Sequence, residues 1–298
     1  MKTILLMSGS LLGLGLAGCA EVLDIPDDPQ VVGPWRCLSE PLQEPVPSAT
    51  TAEVKVQACD FTNQCSTSVR GLTARLCRQL DPNCNNPVQQ GITDSNGLLT
   101  FTVPTPLVGF SGYLDVMSST ANCMDPQFGE FGPMMCGMAM QQGCRNPEDP
   151  EDLNCQVPLY ARALLFFNPP IFNKVEEPMQ LPLIPAAGMP AMLEAAGAQL
   201  DPSKGNLFVT ALDCDGQRAA GVTYTLKDNP TSVTQLYVHG GQPNKNDLET
   251  DASGVGGFLG VPAGFANVTG YNQDQDVVGE SGVTAAPFAM TYTAITPF

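Results

Sequence analysis

A duplicated segment is the feature of this sequence that most constrains its fold. Residues 69–76 (VRGLTARL) match residues 219–226 (AAGVTYTL), and residues 93–97 (TDSNG) match residues 250–254 (TDASG). A Phe follows the turn glycine by four positions in both copies, a Val-Pro pair begins two positions after the Phe in the first copy and three in the second, and an apolar stretch at 54–60 parallels another at 207–213. The chain is therefore predicted to contain the same structural unit twice.

Each copy has the pattern of short, half-buried β-strands. Leu72, Ala74 and Leu76 alternate with polar residues in the first copy, and the second copy repeats this alternation. A period of two places the apolar side chains on one face of a strand. Asp and Gly in the intervening turns suit tight reversals, because Asp bonds nearby backbone N–H groups and Gly accepts positive φ. Short strands with such turns predict β-sandwiches.

The full pattern, a Gly-led alternating strand followed by TD-x-x-G-x-x-x-F-x-x-V-P, resembles carboxypeptidase-regulatory-like domains over about 51–173 and 205–298. The first copy departs from it after Pro104, where Thr105-Pro106-Leu107 replaces the usual Gly turn. The resemblance implies an all-β protein with two transthyretin-like (prealbumin-like, Ig-like) β-sandwich domains in tandem after a signal peptide and a flexible tether. Such domains are non-catalytic accessories, so the resemblance supplies no catalytic residue.

The N-terminus has the pattern of an export signal. Lys2 is followed by an apolar stretch of about a dozen residues, too short for a membrane-spanning helix, which needs roughly 20. The stretch ends in Leu16-Ala17-Gly18-Cys19, which resembles the lipobox of bacterial lipoproteins. We therefore expect cleavage before Cys19, lipidation of Cys19 and anchoring in a membrane. Ala20, in place of the Asp that retains lipoproteins at the inner membrane, favours the outer membrane, with the protein facing the periplasm or the cell surface.

These patterns divide the chain into five predicted parts. They are a signal peptide (1–18), a lipidated acidic tether (19–48), a first sandwich (49–175) with a disulfide-rich insertion (118–157), a linker (176–203) and a second sandwich (204–298). Within the linker, residues 190–200 are predicted to form a short helix, with Leu193, Ala196 and Leu200 on one face. Trp35, beside Cys37 in the tether, is expected to pack onto the first sandwich.

Eleven cysteines indicate an oxidising compartment. With Cys19 lipidated, ten remain and permit five disulfides. Cys59 with Cys65 and Cys77 with Cys84 are close enough in sequence to pair locally. A second group falls in the insertion and is expected to pair internally: Cys123, Cys136, Cys144 and Cys155. The two cysteines that remain, Cys37 and Cys214, are expected by elimination to form the fifth disulfide.

The composition argues against several functions. A net charge of −17 with 13 basic residues is unsuited to nucleic-acid binding. No G-x-S-x-G, H-E-x-x-H or P-loop motif occurs, and His239 is the single histidine, predicted in a loop after a strand. We therefore expect a non-enzymatic, membrane-anchored, monomeric lipoprotein whose sandwiches act as binding or spacer modules for an envelope protein or polysaccharide.

The alternative is a carrier of a small ligand or metal ion, with a hydrolase ranked below it. Asp213, Asp215 and Asp251 are candidate Ca²⁺ ligands, because Ca²⁺ takes hard oxygen donors. Thioether sulfurs suited to Cu⁺ surround Cys136: Met134, Met135, Met138 and Met140. Turn formation and packing explain the same residues without a metal, and no cofactor is the primary expectation.

Overall fold

The computed structural model describes residues 34–39, 46–123, 133, 136–137, 156–227 and 232–297. Seventeen strands are present in this part of the chain, together with the short α-helix α1 (Met189–Ala195) and helical residues at 133 and 136–137. The all-β prediction is confirmed. In the first repeat the strands are β1 (Thr51–Asp60), β2 (Thr73–Arg78), β3 (Gln89–Ile92), β4 (Leu98–Pro104), β5 (Gly112–Met117), β6 (Thr120–Asn122), β7 (Gln156–Pro158), β8 (Arg162–Phe166) and β9 (Met179–Leu183). In the second they are β10 (Lys204–Ala211), β11 (Thr223–Leu226), β12 (Thr234–His239), β13 (Gln242–Asn244), β14 (Val255–Pro262), β15 (Gly264–Tyr271), β16 (Val277–Ala285) and β17 (Ala289–Ile295).

Strand pairing shows that the sequence repeat is a structural repeat. β1 is antiparallel to β4 and parallel to β9, and β10 is likewise antiparallel to β14 and parallel to β17. The second sheet of each repeat also corresponds, because β5 joins β2 to β8 as β15 joins β11 to β16. The repeats differ in the pairing of one strand, since β3 pairs with β2 whereas β12 pairs with β14, and in the β6–β7 ribbon and β13, which each occur in one repeat.

The two repeats share a single sheet. β8 of the first repeat pairs in parallel with β17 of the second, and this pairing produces a nine-stranded sheet with the order β13-β12-β14-β10-β17-β8-β5-β2-β3. The sequence predicted two sandwiches in tandem, and the structure adds that they are joined edge to edge through this sheet. Both sandwiches are built on one continuous central sheet, so backbone hydrogen bonds join them directly.

The two three-stranded sheets cover opposite faces of the central sheet. Ala163 belongs to the core beneath β4-β1-β9, whereas its neighbour Leu164 belongs to the core that contains Leu207 and Val268, beneath β11-β15-β16. Consecutive residues of a strand point to opposite faces. In register, Leu164 and Leu207 both lie opposite Thr291 of β17, so they share one face.

The predicted linker contributes to both halves of the fold. Its residues 179–183 form β9, which pairs with β1 and therefore belongs to the first sandwich, contrary to the predicted boundary at 175. Helix α1 is shorter than the predicted 190–200 and ends before Gly197, which has a φ of +72°. Leu193, Ala196 and Leu200 join one core cluster with Phe208, but only Leu193 lies within the helix.

The TD-x-x-G turns are held by the same hydrogen bonds in both repeats. Leu72 N donates to Thr93 Oγ1 over 2.9 Å, and Val222 N donates to Thr250 Oγ1 over 3.0 Å. Both threonines are buried, with exposures of 4% and 3%. These residues recur because each hydroxyl satisfies a backbone N–H that has no water to bond.

Thr93→Val and Thr250→Val are each expected to lower the free energy of unfolding by about 2 kcal/mol. Valine keeps the shape of threonine but leaves a buried N–H without an acceptor, which costs about 1–3 kcal/mol. Chemical denaturation measures the loss. Thr102→Val is the matched control, since Thr102 is exposed on β4 and should change little. Equal losses at all three positions would contradict this account of the repeat.

The segment that follows the predicted anchor is fastened to the second repeat. Cys37 forms a disulfide with Cys214, and Arg36 forms an ion pair with Asp215. Trp35 and Leu38 pack against the core cluster that contains Leu207 and Val268. The disulfide thus attaches this segment to the turn after β10, whereas the sequence predicted attachment to the first sandwich, and the cluster that Trp35 packs against contains residues of both repeats.

Candidate functional site

A buried charge network crosses the central sheet within the first repeat. Asp115 on β5 is fully buried and lies between Arg75 on β2 and Arg162 on β8. Arg162 Nε donates to Asp115 Oδ1 over 2.7 Å and Arg162 Nη2 donates to Oδ2 over 3.0 Å, while Arg75 Nη2 donates to Oδ2 as well. A buried carboxylate requires such pairing because the loss of its hydration costs several kcal/mol. The network therefore fixes the orientation of the Arg162 guanidinium.

Arg162 also lines a groove where the two repeats meet. The groove has a volume of about 740 Å³. Residues of β5, β8 and the β6–β7 ribbon line it from the first repeat, and the segments before β10 and β17 line it from the second. We call it the junction groove, and its lining residues are Met117, Ser118, Thr120, Pro158, Tyr160, Arg162, Pro202, Ser203, Pro287 and Phe288. Its volume is in the range of small-molecule sites, roughly 300–1,000 Å³.

The polar groups of the junction groove are held in place by local hydrogen bonds. Tyr160 donates its hydroxyl to Asp60 Oδ2 over 3.1 Å, and burial raises the pKa of Tyr160 to about 12. Tyr160 therefore remains protonated at neutral pH. Ser118 Oγ accepts from Tyr160 N over 3.0 Å, and Ser203 Oγ donates to Asp201 Oδ1 over 2.6 Å. Together these bonds give the groove a defined polar rim.

The candidate calcium ligands are not brought together. Asp213 Oδ1 accepts from the N–H groups of residues 215 and 217, so it forms a turn. Asp215 pairs with Arg36, and this hydrogen bond lowers the pKa of the Asp215 carboxyl. Asp251 accepts from Ser253 N over 2.8 Å and from Gly240 N over 2.9 Å. Each carboxylate holds its own turn or ion pair, and the predicted Ca²⁺ set is not assembled.

Among the residues that the structure describes, one group of three potential metal ligands lies close together: Cys77, Cys84 and Asp115. The two cysteines form a disulfide with each other, and Asp115 is held by two arginines. A disulfide sulfur is not the thiolate that binds metals, so this group has no free ligand. The four methionines proposed for Cu⁺ lie outside the described residues.

Four disulfides are present in the described residues, and they match the predicted pairings. Cys59–Cys65 and Cys77–Cys84 are the two local pairs, and Cys37–Cys214 is the pair reached by elimination. Cys123 pairs with Cys136, in agreement with pairing inside the insertion. Cys144, Cys155 and the proposed lipidation site Cys19 lie outside the described residues.

His239 is placed at the exposed end of β12 rather than in a loop. Its Nδ1 lies 3.8 Å from Asp247 Oδ2, and its side chain is 69% exposed. The neighbouring Asp251 is engaged in its turn. His239 therefore makes a surface contact with Asp247. This contact differs from a catalytic triad, in which a nucleophile, a base and an orienting acid are aligned.

Sequence reasoning missed the network and the junction groove. Asp115 within GYLDVM and Arg162 at the start of RALLF are charged residues in strands that are otherwise apolar, and this contrast was the available signal. The groove itself had no local signal, because its lining comes from segments far apart in the sequence that only the β8–β17 pairing brings together.

The sequence matches no protein-family model and no curated protein. Among solved structures, several pilins and one other protein match at low similarity. The shaft pilin SpaA from Lactobacillus rhamnosus GG has 9% identity and a TM-score of 0.22, with 84% of this chain and 98% of that chain covered. The minor pilin GBS52 of Streptococcus agalactiae has 13% identity and a TM-score of 0.21, with 83% and 96% covered. The Bacillus anthracis TIE protein has 10% identity and a TM-score of 0.25, and this chain spans 34% of its length. The function proposed below rests on this chain's own residues.

No helix in the described part of the chain is long and apolar enough to cross a membrane.

Proposed function

We propose that the protein is a lipid-anchored, non-enzymatic component of the bacterial envelope, tethered through Cys19, that holds a rigid pair of β-sandwiches close to the membrane as a binding or spacer module. The observation that carries this proposal is the attachment of the N-terminal segment to the folded body. Cys37 follows the lipobox cysteine by 18 residues and is covalently joined to the second repeat. A chain of that length spans at most about 60 Å.

The continuous central sheet supports a role as a display or spacer body. Hinge motion between domains requires few contacts across the boundary. Here β8 and β17 are hydrogen-bonded neighbours, and side chains reinforce the junction, since Asn168 Nδ2 donates to Glu280 O and to Ala294 O over 2.9 and 2.8 Å. Such a body is expected to keep its two repeats in a fixed relative orientation rather than bend between them.

The residues best suited to chemistry are already engaged, which favours a non-enzymatic role. The eight described cysteines are in disulfides, the candidate calcium carboxylates hold turns or an ion pair, and the single histidine is exposed. An acid or base catalyst needs a positioned group with a pKa near the working pH.

Replacing Cys19 tests the anchoring. Cys19→Ser should shift the protein from the detergent phase to the aqueous phase in Triton X-114 partitioning, or leave the precursor uncleaved, because no thioether can form. Ala20→Ser is the control and should stay in the detergent phase. A Cys19→Ser protein that is processed and still partitions with detergent like the parent would show that another feature anchors the chain.

The second candidate function is transport or retention of a small ligand. The junction groove favours it, since it combines a fixed cation with aromatic and proline side chains at the contact between the repeats. This function is compatible with anchoring, and the two are tested independently.

A further inference from the structure

We infer that the junction groove binds a small carboxylic acid with an apolar body, and that Arg162 receives the carboxylate. This inference rests on the second candidate function and names its ligand class. The guanidinium of Arg162 is the charged group among the residues that line the groove.

The guanidinium of Arg162 has two edges that can each hold a carboxylate. Its Nε and Nη2 atoms face Asp115 and bond both carboxylate oxygens. The other edge, formed by Nη1 and the second N–H of Nη2, finds no acceptor within the described residues. A guanidinium carries five N–H donors in a fixed plane, and a pair of them matches the spacing of two carboxylate oxygens. The bonds to Asp115 therefore hold the second donor pair of Arg162 in a fixed orientation. A planar carboxylate fits that pair better than a neutral hydroxyl does.

The charge around the guanidinium allows a second carboxylate. Arg75 and Arg162 together exceed Asp115 by one positive charge. Asp60 accepts from Tyr160 and Asp201 pairs with Lys204 at 3.7 Å, so both are engaged outside the network. Asp81 acts on Arg75: hydrogen bonds from Asn86 and Asn85, and then the Arg75 charge, lower the pKa of the Asp81 carboxyl. Arg162 pairs with Asp115, and a bound anion would therefore interact with the charge of Arg162.

The rest of the junction groove is suited to a hydrocarbon body. Met117, Pro158, Pro202, Pro287 and Phe288 contribute apolar surface, and no acidic side chain lines the groove in the described part of the chain. Sites that hold small molecules combine mostly apolar walls with a few polar groups that fix orientation. The expected ligand thus places its carboxylate at Arg162 and its apolar part against Phe288.

Calorimetric titration of the lipid-free mature chain with decanoate, and with decanol as the neutral probe, tests the inference. The wild-type protein should bind decanoate with a Kd below about 100 μM and bind decanol at least about tenfold more weakly. Arg162→Lys should weaken decanoate binding about tenfold or more, since lysine can still neutralise Asp115 but has no second donor pair. Arg218→Lys is the matched control at an exposed arginine of the second repeat and should leave binding unchanged.

Amide chemical shifts of the wild-type protein locate the site without any substitution. Addition of decanoate should shift the amide resonances of residues 117–120, 159–162, 203 and 288. Absence of decanoate binding, equal binding of decanol, shifts confined to other residues, or unchanged binding by a folded Arg162→Lys variant would each overturn the inference. None of these outcomes bears on Cys19 partitioning, so the anchoring proposal stands or fails separately.

Discussion

Removal of the Cys37–Cys214 disulfide is expected to lower the free energy of unfolding by about 4–5 kcal/mol. The cysteines are separated by 177 positions, so the bond closes the longest disulfide loop among the described residues. In the chain-entropy model, stabilisation grows with loop length, from about 3 kcal/mol for 15 residues to about 4.7 kcal/mol for 100. The Cys37→Ala/Cys214→Ala protein also loses the covalent attachment next to Trp35, which packs against a core cluster formed by residues of both repeats. Guanidinium unfolding of the lipid-free chain measures the loss.

The short Cys59–Cys65 loop provides the comparison. Its cysteines are six positions apart, so Cys59→Ala/Cys65→Ala should cost only about 2–2.5 kcal/mol by the same model. A long-loop variant that is no less stable than the short-loop variant would contradict the claim that the tether segment is an integral part of the folded body.

Asp115→Asn is expected to cost about 3–5 kcal/mol. The substitution keeps the size of the side chain but removes the negative charge that faces two guanidinium groups, and breaking a buried ion pair on one side carries a penalty of this size. Thermal and chemical denaturation measure it. Asp215→Asn is the matched control and should change stability little, because Asp215 and Arg36 have side chains about half exposed and solvent weakens such surface pairs.

A compensated variant separates charge imbalance from loss of packing. Replacing Asp115, Arg75 and Arg162 together by Leu, Met and Leu should recover much of the stability, since buried ion networks can be replaced by apolar residues at little cost. The triple variant should also fail to bind decanoate. If Asp115→Asn were as stable as Asp215→Asn, the network would not be the element that fixes Arg162.

The repeat and its turns were predictable because they depend on local chemistry. Gly97 and Gly254 have φ values of +71° and +67°. A Cβ on Gly97 would lie 2.6 Å from the carbonyl oxygen of Ala58 in β1, and one on Gly254 would lie 2.7 Å from that of Ala211 in β10. Glycine is required at such positions. The alternation of apolar and polar residues that predicts β2 and β11 likewise depends on a few consecutive residues. The short disulfide loops also join cysteines that are close in sequence.

The shared sheet could not be predicted from those patterns. β8 and β17 pair as the edges of two sheets, and nothing in a strand's own residues names a partner so distant in the sequence. β9 was hidden in a predicted linker because Pro182 reads as a strand breaker. An edge strand tolerates proline on its open side, and β9 is the edge of its sheet.

The site was harder to predict than the fold for the same reason. A calcium site would use carboxylate oxygens such as those of Asp213, Asp215 and Asp251. Here those oxygens accept hydrogen bonds from neighbouring N–H groups and from Arg36. Turn geometry competes for the same acidic residues that bind metals. Conversely, Arg162 carries no motif, and its role follows only from its contacts with Asp115 and from the position of β8 beside the second repeat.

Mass spectrometry of the N-terminal peptide, from protein isolated from its own envelope, tests the central claim most directly. The account predicts that the mature chain begins at Cys19 and that this residue carries a diacylglyceryl thioether, with the added mass absent from the Cys19→Ser protein. An N-terminus at any other residue, or an unmodified Cys19 in the membrane-associated fraction, would contradict a lipid-anchored envelope protein.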